Sequence, residues 1–286
     1  MIQEDRLKMS RSPEASVLPL STMLRSRLLA LVVALYVVPL GAGCDDEDSP
    51  HPPQGPALHA QVLEILPHDA TRFTQGLEIS DGVLYESTGL KGESRLIATE
   101  FVNGRLGVNI REAVLPAPIF GEGLTVVQDR IWQLTWVSEF AIERDRETFA
   151  ERRRVPFEGE GWGLCYDGEQ LVMSDGSAKL TFRNPETFAP TGSIVVRSGA
   201  GPVYALNELE CVDGAVWANV YETDYIVRID PMDGSVTGVV DAQGLLSPEQ
   251  YEHADVLNGI AAIPGAEEFL ITGKRWPAMF RVRFKP

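Results

Sequence analysis

The sequence is poor in the residues that would announce metal or thiol chemistry. Among 286 residues there are three cysteines and four histidines. His51, His59, His68 and His253 show no ligand spacing, so a zinc centre built on paired histidines is not expected. Neither Ser87 nor Ser174 sits in a Gly-x-Ser-x-Gly elbow, which removes the strained nucleophile turn of the serine hydrolases. Positive charge is scarce too: 25 Lys and Arg face 41 Asp and Glu, a formal net charge of −16. No basic stripe is left to follow a phosphate backbone, which excludes nucleic acid as a partner, and the excess acid reads as solvated turns. No stretch carries a sustained helical period, and beyond the N-terminal region no apolar run approaches the roughly 20 residues a spanning helix needs.

What is present begins with one apolar run. Arg25 and Arg27 precede Leu28 to Leu40, which meets Gly41-Ala42-Gly43-Cys44. That is a charged region, a short hydrophobic region and a small-residue cleavage site, so residues 1–44 read as an export signal, with Met23 as an alternative start. The cleavage site resembles a bacterial lipobox with Cys44 as lipid acceptor, although Leu40 stands four residues before the cysteine instead of three; simple secretion is the alternative. Residues 45–58, acidic and proline-rich, read as a solvated tether. The body, residues 59–286, is therefore expected outside the cytoplasm, lipid-anchored in the cell envelope and monomeric. An oxidising compartment would permit a disulfide between Cys165 and Cys211, but two buried free thiols are the expected state, because spacing alone does not bring two cysteines within bonding reach.

The body repeats itself. A Gly-Leu phrase, a short turn and an alternating strand recur from Gly76-Leu77, Gly123-Leu124, Gly163-Leu164, Glu208-Leu209 and Gly259-Ile260, at separations of 47, 40, 45 and 51 residues. Asp81-Gly82, Asp167-Gly168 and Asp213-Gly214 supply hairpin turns between apolar alternations. Such periods belong to propeller blades, so the fold class is all-β, a five-bladed β-propeller. The strand read over residues 60–66 is expected to complete the last blade and close the open edge.

The phrases that carry these repeats are His68-Asp69 with Phe73-Thr74-Gln75-Gly76-Leu77, Phe120-Gly121-Glu122-Gly123-Leu124, Glu160-Gly161-Trp162-Gly163-Leu164, Asn207-Glu208-Leu209-Glu210, Leu257-Asn258-Gly259-Ile260 and Thr272-Gly273-Lys274-Arg275-Trp276. In this order they resemble the glutaminyl-peptide cyclotransferases of plants and bacteria, over roughly residues 60–286. The resemblance implies a five-bladed propeller that converts N-terminal glutamine of peptides or proteins to pyroglutamate, releases ammonia, and requires no metal or other cofactor, although the channel could hold a structural cation.

Cyclisation needs a neutral α-amine aimed at the side-chain amide carbon, a stabilised oxyanion and a proton for the departing ammonia. On the resemblance, Glu122 is the general acid and base, with Lys274 and Asn207 as the other catalytic candidates. Lys274 would place positive charge beside the oxyanion or Glu122. Asn207 and Gln75, as uncharged amides, can both donate and accept toward the substrate. Trp136, Trp162 and Trp217 come from the second, third and fourth repeats and are expected to wall the pocket, with Phe73 beside them. Trp132 and Trp276 read as packing or rim residues, and His68 orders the turn before the first repeat. Two other readings remain: a propeller lactonase or hydrolase holding a hard cation on Glu122, Asn207 and Asn258, and a non-catalytic lipid-anchored binding platform.

Overall fold

In a computed structural model, residues 52–286 are described; the expected export signal, Cys44 and the acidic run after it lie outside the described residues. Strand β1 (Ala57–Pro67) precedes a four-stranded antiparallel sheet of β2 (Thr74–Ser80), β3 (Val83–Thr88), β4 (Arg95–Val102) and β5 (Arg105–Val114). A second sheet is built the same way from β6 (Gly121–Val127), β7 (Arg130–Thr135), β8 (Phe140–Asp145) and β9 (Glu151–Pro156). A third follows from β10 (Leu164–Tyr166), β11 (Leu171–Ser174), β12 (Lys179–Arg183) and β13 (Pro190–Val195). After the small ribbon β14 (Arg197–Ser198) and β15 (Gly201–Pro202) come β16 (Leu206–Val212), β17 (Ala215–Val220), β18 (Tyr225–Ile229) and β19 (Val236–Asp241). The helical turn α1 (Pro248–Tyr251) then leads into β20 (Leu257–Ala262), β21 (Phe269–Gly273) and β22 (Ala278–Lys285). The fold is all-β, with almost no helix.

These last strands join β1 in one eight-stranded sheet, ordered β16-β17-β18-β19-β1-β22-β21-β20. β1 runs antiparallel along β22, from His59 opposite Lys285 to Pro67 opposite Ala278. It meets β19 only through the parallel pairs of Ala57, Leu58 and His59 with Val239, Val240 and Asp241. The ordered strand thus begins inside the stretch read as tether, because Leu58 finds an apolar seat in the layer that holds Trp217 and Val240.

Local chemistry explains the hairpins. Asp81-Gly82 and Asp213-Gly214 take positive φ at both positions (50° and 75°, 51° and 70°), as two-residue turns between strands require. At the third such dipeptide the loop is longer, and Asp167 Oδ1 accepts from the backbone N–H groups of Glu169 and Gln170.

Strands β2, β6, β10, β16 and β20 pack on one another in turn, and β20 packs back on β2. The Gly-Leu phrase recurs because these strands touch through their backbones: a Cβ on Gly123 would lie 2.6 Å from the Trp162 carbonyl oxygen, and one on Gly163 2.0 Å from that of Asn207. The fourth repeat breaks the pattern with Glu208, whose carboxylate accepts from Leu77 N at 3.1 Å and Ile260 N at 2.8 Å, tying β16 to β2 and β20. The apolar core is correspondingly divided into layers between neighbouring sheets. Tyr85, Leu96, Leu124 and Ile131 fill one, Trp132, Leu134, Leu171 and Phe188 another, and Leu77, Leu84, Leu270 and Met279 a third.

The expectation of free thiols is corrected. Cys165 in β10 and Cys211 in β16 form a disulfide with Cα atoms 5.4 Å apart. Direct packing of β10 on β16 brings equivalent positions of consecutive repeats into bonding range.

Glu78, on β2, accepts from Thr125 Oγ1 at 2.6 Å and from Val126 N, yet burial raises its carboxyl from 4.5 to about 7. A carboxyl with a higher pKa folded than unfolded binds its proton more tightly in the native state. Its contribution is full below the unfolded value and is lost as pH rises through about 7. The Glu78→Gln variant should therefore gain thermal stability relative to wild type between pH 5 and pH 8; an equal difference in Tm at both pH values would show that ionisation of Glu78 is not responsible.

Candidate active site

The site grows out of the ends of the strands that carry the Gly-Leu phrases. Glu122 lies in β6 between Gly121 and Gly123 and is 5% exposed. Its hydrogen-bond partner is Gln75 on β2, whose Nε2 donates to Glu122 Oε1 at 3.1 Å. Gln75 is itself held, since Asn258 on β20 donates from Nδ2 to Gln75 Oε1 and to the Thr74 carbonyl, both at 3.1 Å. Burial holds the Glu122 carboxyl well above the ordinary carboxylate range; Lys274 opposes the shift and Glu160 adds to it.

Lys274 follows β21 in the hairpin to β22 and is 4% exposed. Its Nζ sits over two aromatic faces, 5.0 Å from the centroid of Phe73 and 4.7 Å from that of Tyr221, cation–π contacts that partly offset the loss of water. Burial pushes the ammonium below its ordinary range, while Glu122, Asp255 and Glu222 push back.

Aromatic contacts then form a chain that begins and ends at Lys274. Phe73 meets Phe120 edge-on at 6.2 Å, and Phe120 meets Trp136 at 5.6 Å. Trp136 and Trp162 both donate their indole N–H to the same oxygen of Glu160, at 2.6 and 2.9 Å. Trp162 packs edge-on against Tyr221 at 5.5 Å, and Tyr221 returns to Lys274. Asn207, 2% exposed, is anchored in the bulged start of β16, and its side-chain oxygen is buried with no hydrogen-bond partner among the described residues.

Contacts thus join Phe73, Trp136, Trp162 and Lys274 in one network, and Glu122, held by Gln75, is coupled to it through the charges of Lys274 and Glu160. Trp217 stays outside it. Its ring packs on Phe269 at 5.3 Å and Phe284 at 4.9 Å in the apolar layer between β16–β19 and β20–β22. Trp217 lies in the middle of β17, and the aromatic that meets Trp162 and Lys274 is Tyr221, directly after Val220 at the end of that strand. Trp132 is core, donating to the Pro185 carbonyl, and Trp276 is fully buried, donating to that of Asp255. Phe120 and Glu160 carried no role in the sequence reading, although each stands two residues before a residue that did.

The family model for glutamine cyclotransferase matches residues 31–284. The chain is 34% identical over 284 residues to a glutaminyl-peptide cyclotransferase of Arabidopsis thaliana, covering 96% of this chain and 85% of the relative. It superimposes on the crystal structure of Myxococcus xanthus glutaminyl cyclase with a TM-score of 0.71 and 35% identity, over 81% of this chain and 99% of the other. With the family model matching residues 31–284 and a relative 34% identical across 96% of this chain, the chain belongs to the glutamine cyclotransferase family.

Proposed function

We propose that this family member closes N-terminal glutamine of peptides or proteins into a pyroglutamyl ring with release of ammonia, at one end of a five-bladed propeller. The blade count is supported by the cyclic packing of β2, β6, β10, β16 and β20. It also requires β1 to serve as the outer strand of the unit containing β20, β21 and β22.

The observation that carries the chemistry is Glu122, a buried carboxyl hydrogen-bonded to an amide and subject to the positive charge of Lys274. The substrate α-amine attacks the side-chain amide carbon, and the new N–C bond forms as Glu122 takes a proton from that amine. The C–N bond to the leaving nitrogen then breaks as Glu122 returns the proton, so ammonia departs and the carboxylate is regenerated. A carboxyl poised above its ordinary range suits both directions of transfer near neutrality. Lys274 stabilises the oxyanion of the tetrahedral intermediate. The unpartnered oxygen of Asn207 accepts from the substrate's amine or amide, relieving a cost of about 1–3 kcal/mol for an unsatisfied buried acceptor. The aromatic ring holds the aliphatic part of glutamine in a near-attack shape and excludes water.

On this reading no cofactor takes part in the chemistry. A cation held by Glu122, Asn207 and Asn258 is disfavoured because Asn258 is spent on Thr74, Gln75 and the Glu208 N–H. The Cys165–Cys211 bridge supports placement of the body in an oxidising compartment, in keeping with export and an anchor at Cys44. Ammonia release from a short glutaminyl peptide by the full chain tests the reaction. Turnover is expected to persist in chelator and to vanish when the peptide begins with asparagine; a folded protein that releases no ammonia from the glutaminyl peptide would sink it.

A further inference from the structure

Just outside the pocket lies a buried charged network that the mechanism above does not use. His68 and Glu86 each have side chains 1% exposed, and His68 Nε2 is 3.0 Å from Glu86 Oε1. The other ring nitrogen, Nδ1, is 2.7 Å from the carbonyl oxygen of Trp276. Glu86 Oε1 also accepts from Thr74 Oγ1 at 2.8 Å, and its Oε2 from Arg72 Nη1 at 2.7 Å.

Both ring nitrogens of His68 thus face oxygen acceptors. A neutral imidazole has one N–H and would leave a lone pair against either a carbonyl or a carboxylate. The nearby Thr272 Oγ1, 3.4 Å from Nδ1, does not resolve the conflict because its hydroxyl donates to the Ala278 carbonyl. Arg72, paired with Glu86 and near Asp69, keeps the glutamate ionised. The geometry therefore calls for a doubly protonated ring.

The network's position gives it a role. His68 and Arg72 belong to the segment that leads into Phe73 and Gln75, whereas Trp276 belongs to the hairpin that carries Lys274. Two backbone bonds run between the same segments, His68 N to Pro277 O at 3.1 Å and Arg275 N to Arg72 O at 2.7 Å. The hairpin is held with Arg275 in the left-handed region at φ 57°, a conformation that a residue with a side chain adopts only when its surroundings enforce it.

We propose that His68 is a positioning residue for cyclisation: held as an imidazolium between Glu86 and the Trp276 carbonyl, it locks the Lys274 hairpin against the segment bearing Phe73 and Gln75. Burial works against the charge on the ring, but Glu86 and the Trp276 carbonyl outweigh it and raise the pKa. His68 and Arg72 in turn bring Glu86 down to about 2 against its own burial. The charged groups acting on the ring are Glu86 from β3 and Arg72 from the lead-in segment; the hairpin contributes only a carbonyl and a hydroxyl. The inference rests on the cyclisation reading, since Lys274 is the group being placed.

A double-mutant cycle on kcat/KM tests it. The His68→Gln variant keeps hydrogen-bonding capacity but loses the charge, and a shift of Lys274 by even about an ångström is expected to cost on the order of 10- to 100-fold. In a Lys274→Gln background the same substitution should cost almost nothing further, because the group it positions has gone. Additive losses would overturn the proposal. Should His68→Gln not fold, Arg72→Gln replaces it in the cycle, with the same non-additivity expected. Independently of any variant, a nitrogen NMR titration of the wild-type protein should find both His68 ring nitrogens protonated to higher pH than in a free imidazole; a ring that is neutral at or below the ordinary value overturns the inference whatever the kinetics. Absence of turnover in the wild type would instead sink the cyclisation reading and this inference together.

Discussion

Replacing Glu122 by glutamine is expected to lower kcat about 10²- to 10⁴-fold, the range of a positioned acid–base group, while KM changes by less than about threefold. The substitution preserves volume, and the new amide oxygen can still accept from Gln75 Nε2, so the network of Asn258, Gln75 and the β6 strand stays in place. What disappears is the ability to take a proton from the α-amine and return it to ammonia. The loss corresponds to roughly 3–5 kcal/mol of transition-state stabilisation. The pH profile supplies a second readout. Burial and Glu160 hold the carboxyl above its ordinary range, so the wild-type enzyme should lose activity on the acid side well above the pH at which an exposed glutamate protonates. The residual activity of Glu122→Gln should lose the carboxyl's part of that limb and keep only the part set by protonation of the substrate α-amine. A variant that turns over within about threefold of wild type would remove Glu122 as the shuttle and leave positioning alone to account for catalysis.

Removing the Cys165–Cys211 bridge should have the largest effect on stability. The bond closes a loop with a sequence separation of 46 residues and joins β10 to β16. The chain-entropy relation puts the stabilisation near 4 kcal/mol for such a loop, with about 2–4 kcal/mol typical. In a body of this size that corresponds to a fall in Tm of roughly 5–15 °C. The double substitution Cys165→Ala and Cys211→Ala is preferred to serine because both positions belong to the apolar layer with Leu180, Leu206 and Leu209, where a hydroxyl would be left without a partner. Activity well below the melting transition should be unchanged, because neither sulfur belongs to the aromatic ring or the Glu122 network. Adding a reductant should bring the wild-type protein most of the way to the variant. Free thiols on Cys165 and Cys211 in the unreduced, unfolded wild-type protein would show that the bridge does not form.

Parts of this molecule were legible before any coordinates. The Gly-Leu phrase was legible because its cause is steric and recurs in the first three repeats: the neighbouring strand leaves no room for a Cβ at Gly76, Gly123 or Gly163. The turns were legible where two residues must both take positive φ, as at Asp81-Gly82 and Asp213-Gly214. Glu122, Gln75 and Lys274 stood out as candidates through the words that surround them. The third aromatic wall was not. Trp217 and Tyr221 lie four residues apart on one strand and its end, and no local pattern says which one reaches the pocket and which one meets Phe269 and Phe284 across the sheet interface. Glu160 was hidden for a similar reason: an acidic residue among many gains its place only when two indoles from different sheets converge on one of its oxygens.

By itself the sequence determined the strand-rich class, the repeat and its period, the turns, and the candidates for proton transfer, because each is a property of a few neighbouring positions. Tertiary structure decided the rest. The pairing of β1 with β22, the bond between Cys165 and Cys211, the passage of Glu208 to Leu77 and Ile260, and the depth at which Glu122 and Lys274 lose water all depend on residues separated by tens to hundreds of positions. Burial, carboxyl basicity and cross-strand bonding are set by what surrounds a group in space, and that enclosure exists only once the first and last strands of the body have met.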